Sequence, residues 1–174
     1  MKEIIYQGKN LPLQIDYHSL KRSKLQIHEH SAVATLSQAL TPKQQKAQLN
    51  SLIEKLYRRT TEKVTRETLT LLRLHAPRQV QSIRYKKMTS RWGSASANHN
   101  LNFNIDLAKL PLNIQQYIVI HEYSHLFQMN HSKNFWATVH QFDPDYKNHR
   151  RHLRLYEKKW HLEKRAVIAG QDLD

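Results

Sequence analysis

The residues with the clearest capacity for chemistry form the pattern H-E-x-x-H-x-x-x-x-x-H, which runs from His121 to His131. On an α-helix, His121 and His125 lie about 40° apart around the axis and roughly 6 Å apart along it. Their imidazoles can therefore bind one metal ion from the same side of the helix. Glu122 lies about 100° from His121, where its carboxylate can act on a water without ligating the metal. This spacing is typical of metal-dependent hydrolases with glutamate as the general base.

His131 is the expected third ligand, but it requires a break in the helix. On a continued helix it would lie roughly 9 Å beyond His125, too far away to share an ion. The pattern therefore predicts that the helix ends between Leu126 and His131. Asn130, which tolerates the left-handed conformation, is the predicted stop. Ser132 is the predicted N-cap of the following helix.

The composition limits the kind of site and the kind of protein. The chain has 174 residues, 39% of them hydrophobic, which suits one domain or one domain with a small appendage. The absence of cysteine excludes disulfides and thiolate ligands, so a metal must be bound by histidine or carboxylate. The first residues lack the apolar run of a signal peptide, and no stretch reaches 18 apolar residues. These features predict a cytoplasmic protein that does not enter a membrane.

The net charge of +14 is concentrated on both sides of the histidine motif. Residues 42–91 contain 13 Lys and Arg against three Glu, and residues 145–165 contain eight Lys and Arg against three acidic residues. Residues 92–144, which include the motif, contain two Lys and three acidic residues. Such basic flanks can attract nucleic acid, nucleotides or an acidic protein partner, or they can be a solvated surface with no dedicated partner.

The sequence pattern of residues 1–75 predicts short strands followed by a long helix. Residues 1–40 alternate with period two in three stretches, which predicts a β-rich subdomain folded as an antiparallel meander. Thr41 and Pro42 are typical of a helix start. The helical pattern continues to about His75, with a predicted break near Thr60 and Thr61, and Ala76-Pro77 is its predicted end.

Residues 41–168, which include the long helix, are predicted to form a metal-binding catalytic domain. Residues 80–88 and 101–105 read as two strands that flank a turn-rich loop and form either a hairpin or an adjacent pair. The metal helix is predicted over about 114–129, a second helix from Ser132 to Asp143, and a final helix over about 145–165. Residues 169–174 are predicted to be a C-terminal tail.

The motifs in residues 91–146 give this chain a resemblance to the YgjP-like metallopeptidase family, which is related to the SprT-like and other zincin metalloproteases. The match rests on R-W-G-S-A-S at 91–96, L-N-F-N at 101–104, Y-I-V-I-H-E-Y-S-H at 117–125, N-H-S-K-N-F-W at 130–136 and P-D-Y at 144–146. Ala95 and Tyr123 depart from the usual residues of the family, but neither is a ligand.

The resemblance implies a fold, a metal and an activity. The fold is α+β, with a zincin-like core in which a small, mostly antiparallel sheet packs against the H-E-x-x-H helix and further helices, preceded by the amino-terminal meander. One Zn²⁺ ion is bound by His121, His125 and His131, and Glu122 is the catalytic base of a zinc-dependent peptidase. The family is also associated with a UTP pyrophosphatase activity.

Four further residues are candidate contacts to the substrate or transition state: Tyr146, Arg91, Trp92 and His149. Negative charge develops on the substrate during hydrolysis and needs a stabilising group beside the metal. Trp92 is as readily explained by core packing. Gly93 most simply serves a turn with positive φ.

Three functions therefore remain open. A peptidase would pair an extended peptide with an open strand near 101–105. A metal-dependent nucleotide pyrophosphatase would hold phosphates with basic residues, for which Arg84, Lys86, Lys87 and Arg91 are candidates. A nucleic-acid-associated protein would use the basic flanks for binding and zinc for structure.

Overall fold

The structure is a computed structural model that describes residues 2–19, 22–75 and 78–168, with side chains described up to Trp160. It contains two small sheets and four α-helices, so the α+β prediction is confirmed. Three of its five strand pairings are antiparallel and two are parallel. None of the helices in the described part of the chain has the length and apolar character needed to cross a bilayer.

The first sheet contains β1 (Glu3–Tyr6), β2 (Lys9–His18), β3 (Lys24–Ile27) and β4 (Ala32–Ser37) in the order β1-β2-β4-β3. It is not the predicted meander, because β2 pairs with β4 in parallel. The burial of β4 explains this order, since Ala32, Ala34, Thr35 and Leu36 are all buried. A strand buried on both faces is stable in the interior of a sheet rather than at its edge.

Helix α1 (Pro42–His75) crosses the molecule as one continuous helix of 34 residues. The predicted break near Thr60 and Thr61 is wrong, because both hydroxyls find partners in the core. Thr61 Oγ1 donates to the Ile105 carbonyl at 3.0 Å, and Thr60 Oγ1 lies 3.1 Å from the Tyr6 hydroxyl. Residues 76–77, where the sequence predicts the helix end, lie outside the described residues.

The second sheet contains β5 (Ser82–Lys86), β6 (Gly93–Ala95) and β7 (Asn100–Asn104) in the order β5-β7-β6. β5 and β7 are adjacent, as predicted, and run parallel, whereas β6 pairs with β7 in antiparallel orientation. The sequence did not predict β6, which has only three residues. A 3₁₀ helix (Ile105–Lys109) then leads to α2 (Leu112–Ser124), α3 (Lys133–Phe142) and α4 (Tyr146–Ile168).

Two apolar clusters form the core, and α1 contributes to both. Leu49 and Tyr57 of α1 pack with the first sheet, while Leu69 and Leu72 pack with β7, α2 and α3. Val119, Tyr123 and Leu126 are buried and belong to this second cluster, so the side of α2 away from the histidines faces the core. The division at residue 40 stays a prediction, and the tail at 169–174 lies outside the described residues.

Candidate metal centre

Helix α2 presents His121 and His125 on one side, as predicted, but it ends earlier than the sequence predicted. Its last residue is Ser124, and His125 is its C-cap, with φ −64° and ψ −17°. The chain then turns tightly, with the Leu126 N–H donating to the Tyr123 carbonyl at 3.0 Å. The two imidazole rings have centroids 5.1 Å apart and stand nearly perpendicular. The early end of the helix leaves six residues for the return to His131.

The return to His131 does not use the left-handed residue predicted at Asn130. Asn130 is not among the described non-glycine residues with positive φ. Instead, its side-chain Oδ1 accepts a hydrogen bond from the Ser132 N–H at 3.3 Å, which is an Asx turn. Ser132 is the predicted N-cap of α3, since its Oγ accepts from the Phe135 N–H at 3.4 Å. A side-chain turn followed by a cap therefore fixes the position of His131.

The three histidines converge as metal ligands do. His121 Nε2 and His131 Nε2 are 3.1 Å apart, and one ring nitrogen from each of the three histidines lies within 4.8 Å of the others. Two nitrogen ligands of a tetrahedral zinc ion lie roughly 3.3 Å apart, given Zn–N bonds of about 2.0–2.1 Å. The donor set and the His121–His131 separation both fit a single ion of this kind.

The outer nitrogens of two ligands differ in their partners. His125 Nδ1 lies 3.1 Å from the Gln128 carbonyl oxygen. Because a carbonyl only accepts, Nδ1 carries the proton and Nε2 keeps the lone pair for a metal. His121 Nδ1 is buried and has no hydrogen-bond partner in the described part of the chain. Most buried polar atoms have a partner, and among the described residues His121 Nδ1 shares its lack of one with side-chain atoms of Thr65, Thr68, Trp92 and Gln115.

Two of the three imidazoles, those of His121 and His125, are held in the neutral form that binds metals. The pKa of His121 is lowered to about 3, chiefly by burial and in smaller part by the neighbouring His125, His131 and Arg150. Burial also lowers the pKa of His125, while its hydrogen bond to Gln128 acts in the opposite direction. These ligands therefore do not have to lose a proton at neutral pH before they bind a metal.

Glu122 is buried beside the histidines and packs against a glycine. Its pKa is raised to about 8 because burial disfavours the charged carboxylate, and Arg91 opposes this shift. A Cβ at Gly93 would lie 2.7 Å from Glu122 Cγ and 2.8 Å from Oε1. Gly93 does not have the predicted positive φ. Its function is to leave room for the Glu122 side chain on the neighbouring helix.

Two aromatic residues of α3 pack against the histidines. The Phe135 ring is fully buried, and its centroid is 4.5 Å from His125, 4.8 Å from His131 and 5.0 Å from His121. The Trp136 ring stacks on His131 at 5.7 Å. Helix α3 therefore forms the apolar wall behind the three ligands.

Of the four predicted substrate contacts, Arg91 and Trp92 line the cleft beside the histidines, whereas Tyr146 and His149 lie outside it. The cleft has a volume of about 610 Å³ and also contains His121, Glu122 and His131. Trp92 serves the core as well, because it is buried and stacks on Trp160 at 4.4 Å.

Tyr146 and His149 do not line this cleft. Tyr146 stacks on Trp136 at 5.5 Å and lines a neighbouring groove. His149 Nδ1 forms a 2.8 Å contact with the buried Asp143 carboxylate, which joins the end of α3 to α4. A direct role for either residue in the reaction stays a prediction.

Sequence reasoning missed several residues of the cleft, among them Tyr117, Arg150, Arg154 and Glu157. Tyr117 lies one helical turn before His121, and this i, i+4 spacing was the available signal. Burial raises its pKa to about 12, so the phenol keeps its proton. Arg150 lies on α4, and its guanidinium is 4.5 Å from the centre of the Trp136 ring. No local pattern in the sequence connects α4 with the metal helix.

A family model for the YgjP-like metallopeptidase domain matches residues 1–156. The chain belongs to this family. Membership makes it a metallopeptidase-type hydrolase and implies a metal, for which the three histidines are the ligands that the described residues offer. A search of curated proteins finds no match.

Two solved structures of archaeal metallopeptidase zymogens are similar to part of the chain. Abylysin from Pyrococcus abyssi has 19% sequence identity and a TM-score of 0.46, over 55% of this chain and 93% of the abylysin chain. Jannalysin from Methanocaldococcus jannaschii has 19% identity and a TM-score of 0.45, over 57% of this chain and 89% of its own.

Proposed function

We propose that this YgjP-like protein is a zinc-dependent peptidase with Glu122 as its catalytic base. The observation that carries the proposal is the convergence of three imidazole nitrogens within 4.8 Å, with His121, His131 and the buried Glu122 lining one open cleft. Three neutral imidazoles are a ligand set typical of catalytic zinc, whose fourth position stays open.

His121, His125 and His131 would hold the ion. When bound, zinc supplies a Lewis acid that lowers the pKa of a water and polarises a substrate carbonyl. Glu122 takes the proton from the attacking water and returns it to the amine that leaves. Its buried site and raised pKa suit a group that must both accept and release a proton near neutral pH.

Strand β6 is the edge that an extended peptide would join. The backbones of Trp92 and Ser96 hydrogen-bond to β7. In an antiparallel pair, residues that hydrogen-bond to the partner strand alternate with residues that do not. Gly93 and Ala95 are of the second kind, so their N–H and C=O groups point away from β7. A peptide paired with these groups would pass beside Glu122, which contacts Gly93.

The expectation that the strand near 101–105 is open to substrate is wrong. β7 lies between β5 and β6, so its backbone is paired on both sides. The free edge nearest the metal helix therefore belongs to β6.

Two groups in the cleft can stabilise the negative charge that develops on the substrate. Arg91 lines the cleft and acts electrostatically on Glu122. Tyr117 lines the same cleft and keeps its phenolic proton. A charged donor and a neutral donor are both suited to a developing oxyanion.

Two variants test the proposal. The Glu122→Gln variant keeps the size and the hydrogen-bonding capacity of the side chain but cannot accept the proton. We expect peptide hydrolysis to fall by about 10³-fold or more while the zinc content stays at one ion per chain. The His131→Ala variant should lose the ion. Unchanged hydrolysis in Glu122→Gln, or unchanged zinc content in His131→Ala, would contradict the proposal.

The basic residues named for the pyrophosphatase alternative lie mostly away from the metal cleft. Arg84 and Lys86 lie on β5, at the sheet edge opposite β6. Of the four basic residues proposed to hold phosphates, Arg91 lines the metal cleft. Pyrophosphate release from UTP, measured on the same preparation, separates this activity from peptide hydrolysis.

A further inference from the structure

A second cavity lies between α3 and α4, next to the metal cleft. Its volume is about 700 Å³. Five basic residues line it, with no acidic residue among its lining side chains: Lys133, Lys147, Arg150, Arg151 and Arg154. All five are exposed. We call this cavity the basic groove.

The basic groove is continuous with the metal cleft. Trp136, Arg150 and Arg154 line both cavities. The Trp136 ring centre is 5.8 Å from the His121 ring and 5.7 Å from the His131 ring. An extended chain advances about 3.3 Å per residue, so a substrate bound at the histidines reaches the groove within roughly two to four residues of its scissile bond.

The groove itself is lined by no carboxylate in the described part of the chain, whereas Glu157 lines the adjoining metal cleft together with Arg150 and Arg154. Among the described residues, none of the five basic side chains forms an ion pair with Asp or Glu. Arg151 donates to the Asn148 side-chain oxygen at 3.1 Å, which orients its guanidinium and leaves its charge available. Arg150 is held over the Trp136 ring. Ordered guanidinium groups without an acidic partner suit carboxylates, which they bind with two parallel hydrogen bonds.

We propose that the basic groove selects polypeptide substrates that carry Asp or Glu within about four residues of the scissile bond, on the side that lies over α3 and α4. The inference rests on the proposed peptidase function and adds its substrate class. The net charge of +14 also attracts acidic polypeptides towards the protein before they reach the groove.

An acidic polypeptide fits the groove better than a nucleic acid does. Proteins that bind single-stranded nucleic acid offer free aromatic faces on which bases stack. The principal aromatic ring here, Trp136, already stacks on Tyr146 and on His131 and lies under the Arg150 guanidinium. The groove therefore offers five positive charges, while its tryptophan ring is already in contact with other rings. The free edge of β6 in the adjoining cleft also has the geometry for an extended peptide.

The test compares peptides that differ only in charge. Each pair has one sequence with Glu, or the isosteric Gln, at positions two to four on either side of the cleaved bond. Cleavage by the zinc-loaded protein should favour the Glu peptide about tenfold in kcat/KM on one side of the bond. The preference should shrink as the salt concentration rises to 0.5 M. Fluorescence anisotropy with chelator-treated protein measures binding of the same peptides without hydrolysis.

Paired variants show whether the groove causes the preference. Lys147→Gln combined with Arg151→Gln removes two charges that line the groove and not the metal cleft. Lys63→Gln combined with Arg73→Gln removes the same two types of charge from exposed positions of α1. The Glu-to-Gln ratio should fall several-fold in the first variant and stay unchanged in the second.

The outcomes separate this inference from the proposed function. Equal binding of Glu and Gln peptides overturns the inference even if peptides are cleaved. A single-stranded oligonucleotide that binds tightly, while the peptides show no charge preference, overturns it in favour of nucleic acid. Groove-dependent selection of Glu peptides without any hydrolysis supports the groove assignment and contradicts the peptidase proposal.

Discussion

The amino-terminal sheet and the metal centre both bury side chains, but they bury different kinds. The core under the first sheet contains Ile4, Leu11 and Leu36, and the buried hydroxyl of Thr61 beside it donates to a backbone carbonyl. The metal centre lies against an equally apolar core but buries Glu122 and His121. Burial disfavours the charged form of both groups, and His121 Nδ1 has no partner among the described residues.

This difference separates the part of the molecule that supports the fold from the part suited to chemistry. Apolar burial stabilises the first region in proportion to the area removed from water. In the second region, the same exclusion of water keeps imidazoles neutral and raises the pKa of a carboxyl group, at a cost in stability. Matched substitutions in the two regions should therefore have similar effects on stability and different effects on metal affinity.

The largest effect on stability is expected when a buried side chain is truncated in each region. Phe135→Ala and Leu36→Ala each remove a side chain that is no more than 1% exposed, and each should lower the free energy of unfolding by about 3–5 kcal/mol. Phe135 contacts all three histidine rings, so only Phe135→Ala should also weaken zinc binding. Urea unfolding and zinc titration measure the two effects. Equal zinc affinity in the two variants would show that α3 does not position the ligands.

The pH dependence of stability tests the buried carboxyl group directly. Burial raises the pKa of Glu122 from 4.5 to about 8, so between these values the folded chain binds more protons than the unfolded chain. Stability conferred by the protonated carboxyl is complete below pH 4.5 and is lost as the pH rises through 8. The Glu122→Gln variant has no such loss.

The stability of Glu122→Gln relative to the parent protein should therefore increase by a few kcal/mol, on the order of 1.4 per pKa unit, between pH 5 and pH 9. Unfolding in the presence of a chelator measures it without a contribution from metal. A difference that is constant with pH would mean that Glu122 is solvated in the folded protein.

The juxtaposition of His121 and His125 was predictable from sequence because helical periodicity alone brings the two imidazoles together. Ser132 was predictable as an N-cap for the same reason, since the capping hydrogen bond is local. The conformation of the turn between His125 and Ser132 was not predictable, because both a left-handed Asn130 and an Asx turn are compatible with the local sequence. Only the packing of Phe135 against the ligands selects one of them.

The features that sequence reasoning missed depend on contacts between distant segments. Strand β6 is three residues long and carries no period-two signal. Gly93 faces Glu122 on another element, and Arg150 reaches the cleft from α4. The parallel pairing of β2 with β4 likewise depends on which strand is buried on both faces. Tertiary packing decides all four, and local propensity does not report it.

A smaller effect is expected from adding one methyl group to a glycine in each region. At Gly93 the new Cβ would lie 2.7 Å from Glu122 Cγ, and at Gly8 it would lie 2.7 Å from Pro111 Cγ, with a φ of +81°. Gly93→Ala should displace the carboxyl group and lower kcat by about 10²-fold. Gly8→Ala should destabilise the fold by about 1–2 kcal/mol through its strained backbone and leave kcat unchanged.

Steady-state kinetics with zinc-saturated protein, together with thermal unfolding, separate the two glycines. The comparison fails if Gly8→Ala lowers kcat as much as Gly93→Ala does. Conversely, full activity in Gly93→Ala would mean that the Glu122 side chain has room to move without losing its function.

The smallest expected effect distinguishes two helix caps. Thr41 caps α1, with its Oγ1 accepting from the Gln44 N–H at 3.4 Å and Gln44 Oε1 accepting from the Thr41 N–H at 2.9 Å. Ser132 caps α3 directly after His131. Replacing either residue with Ala should cost about 1 kcal/mol of stability. Only Ser132→Ala frays the turn that carries a ligand, so it alone should raise the zinc dissociation constant, by about fivefold. Competition with a zinc-binding dye measures that constant, and equal constants in the two variants would mean that the cap stabilises α3 without fixing His131.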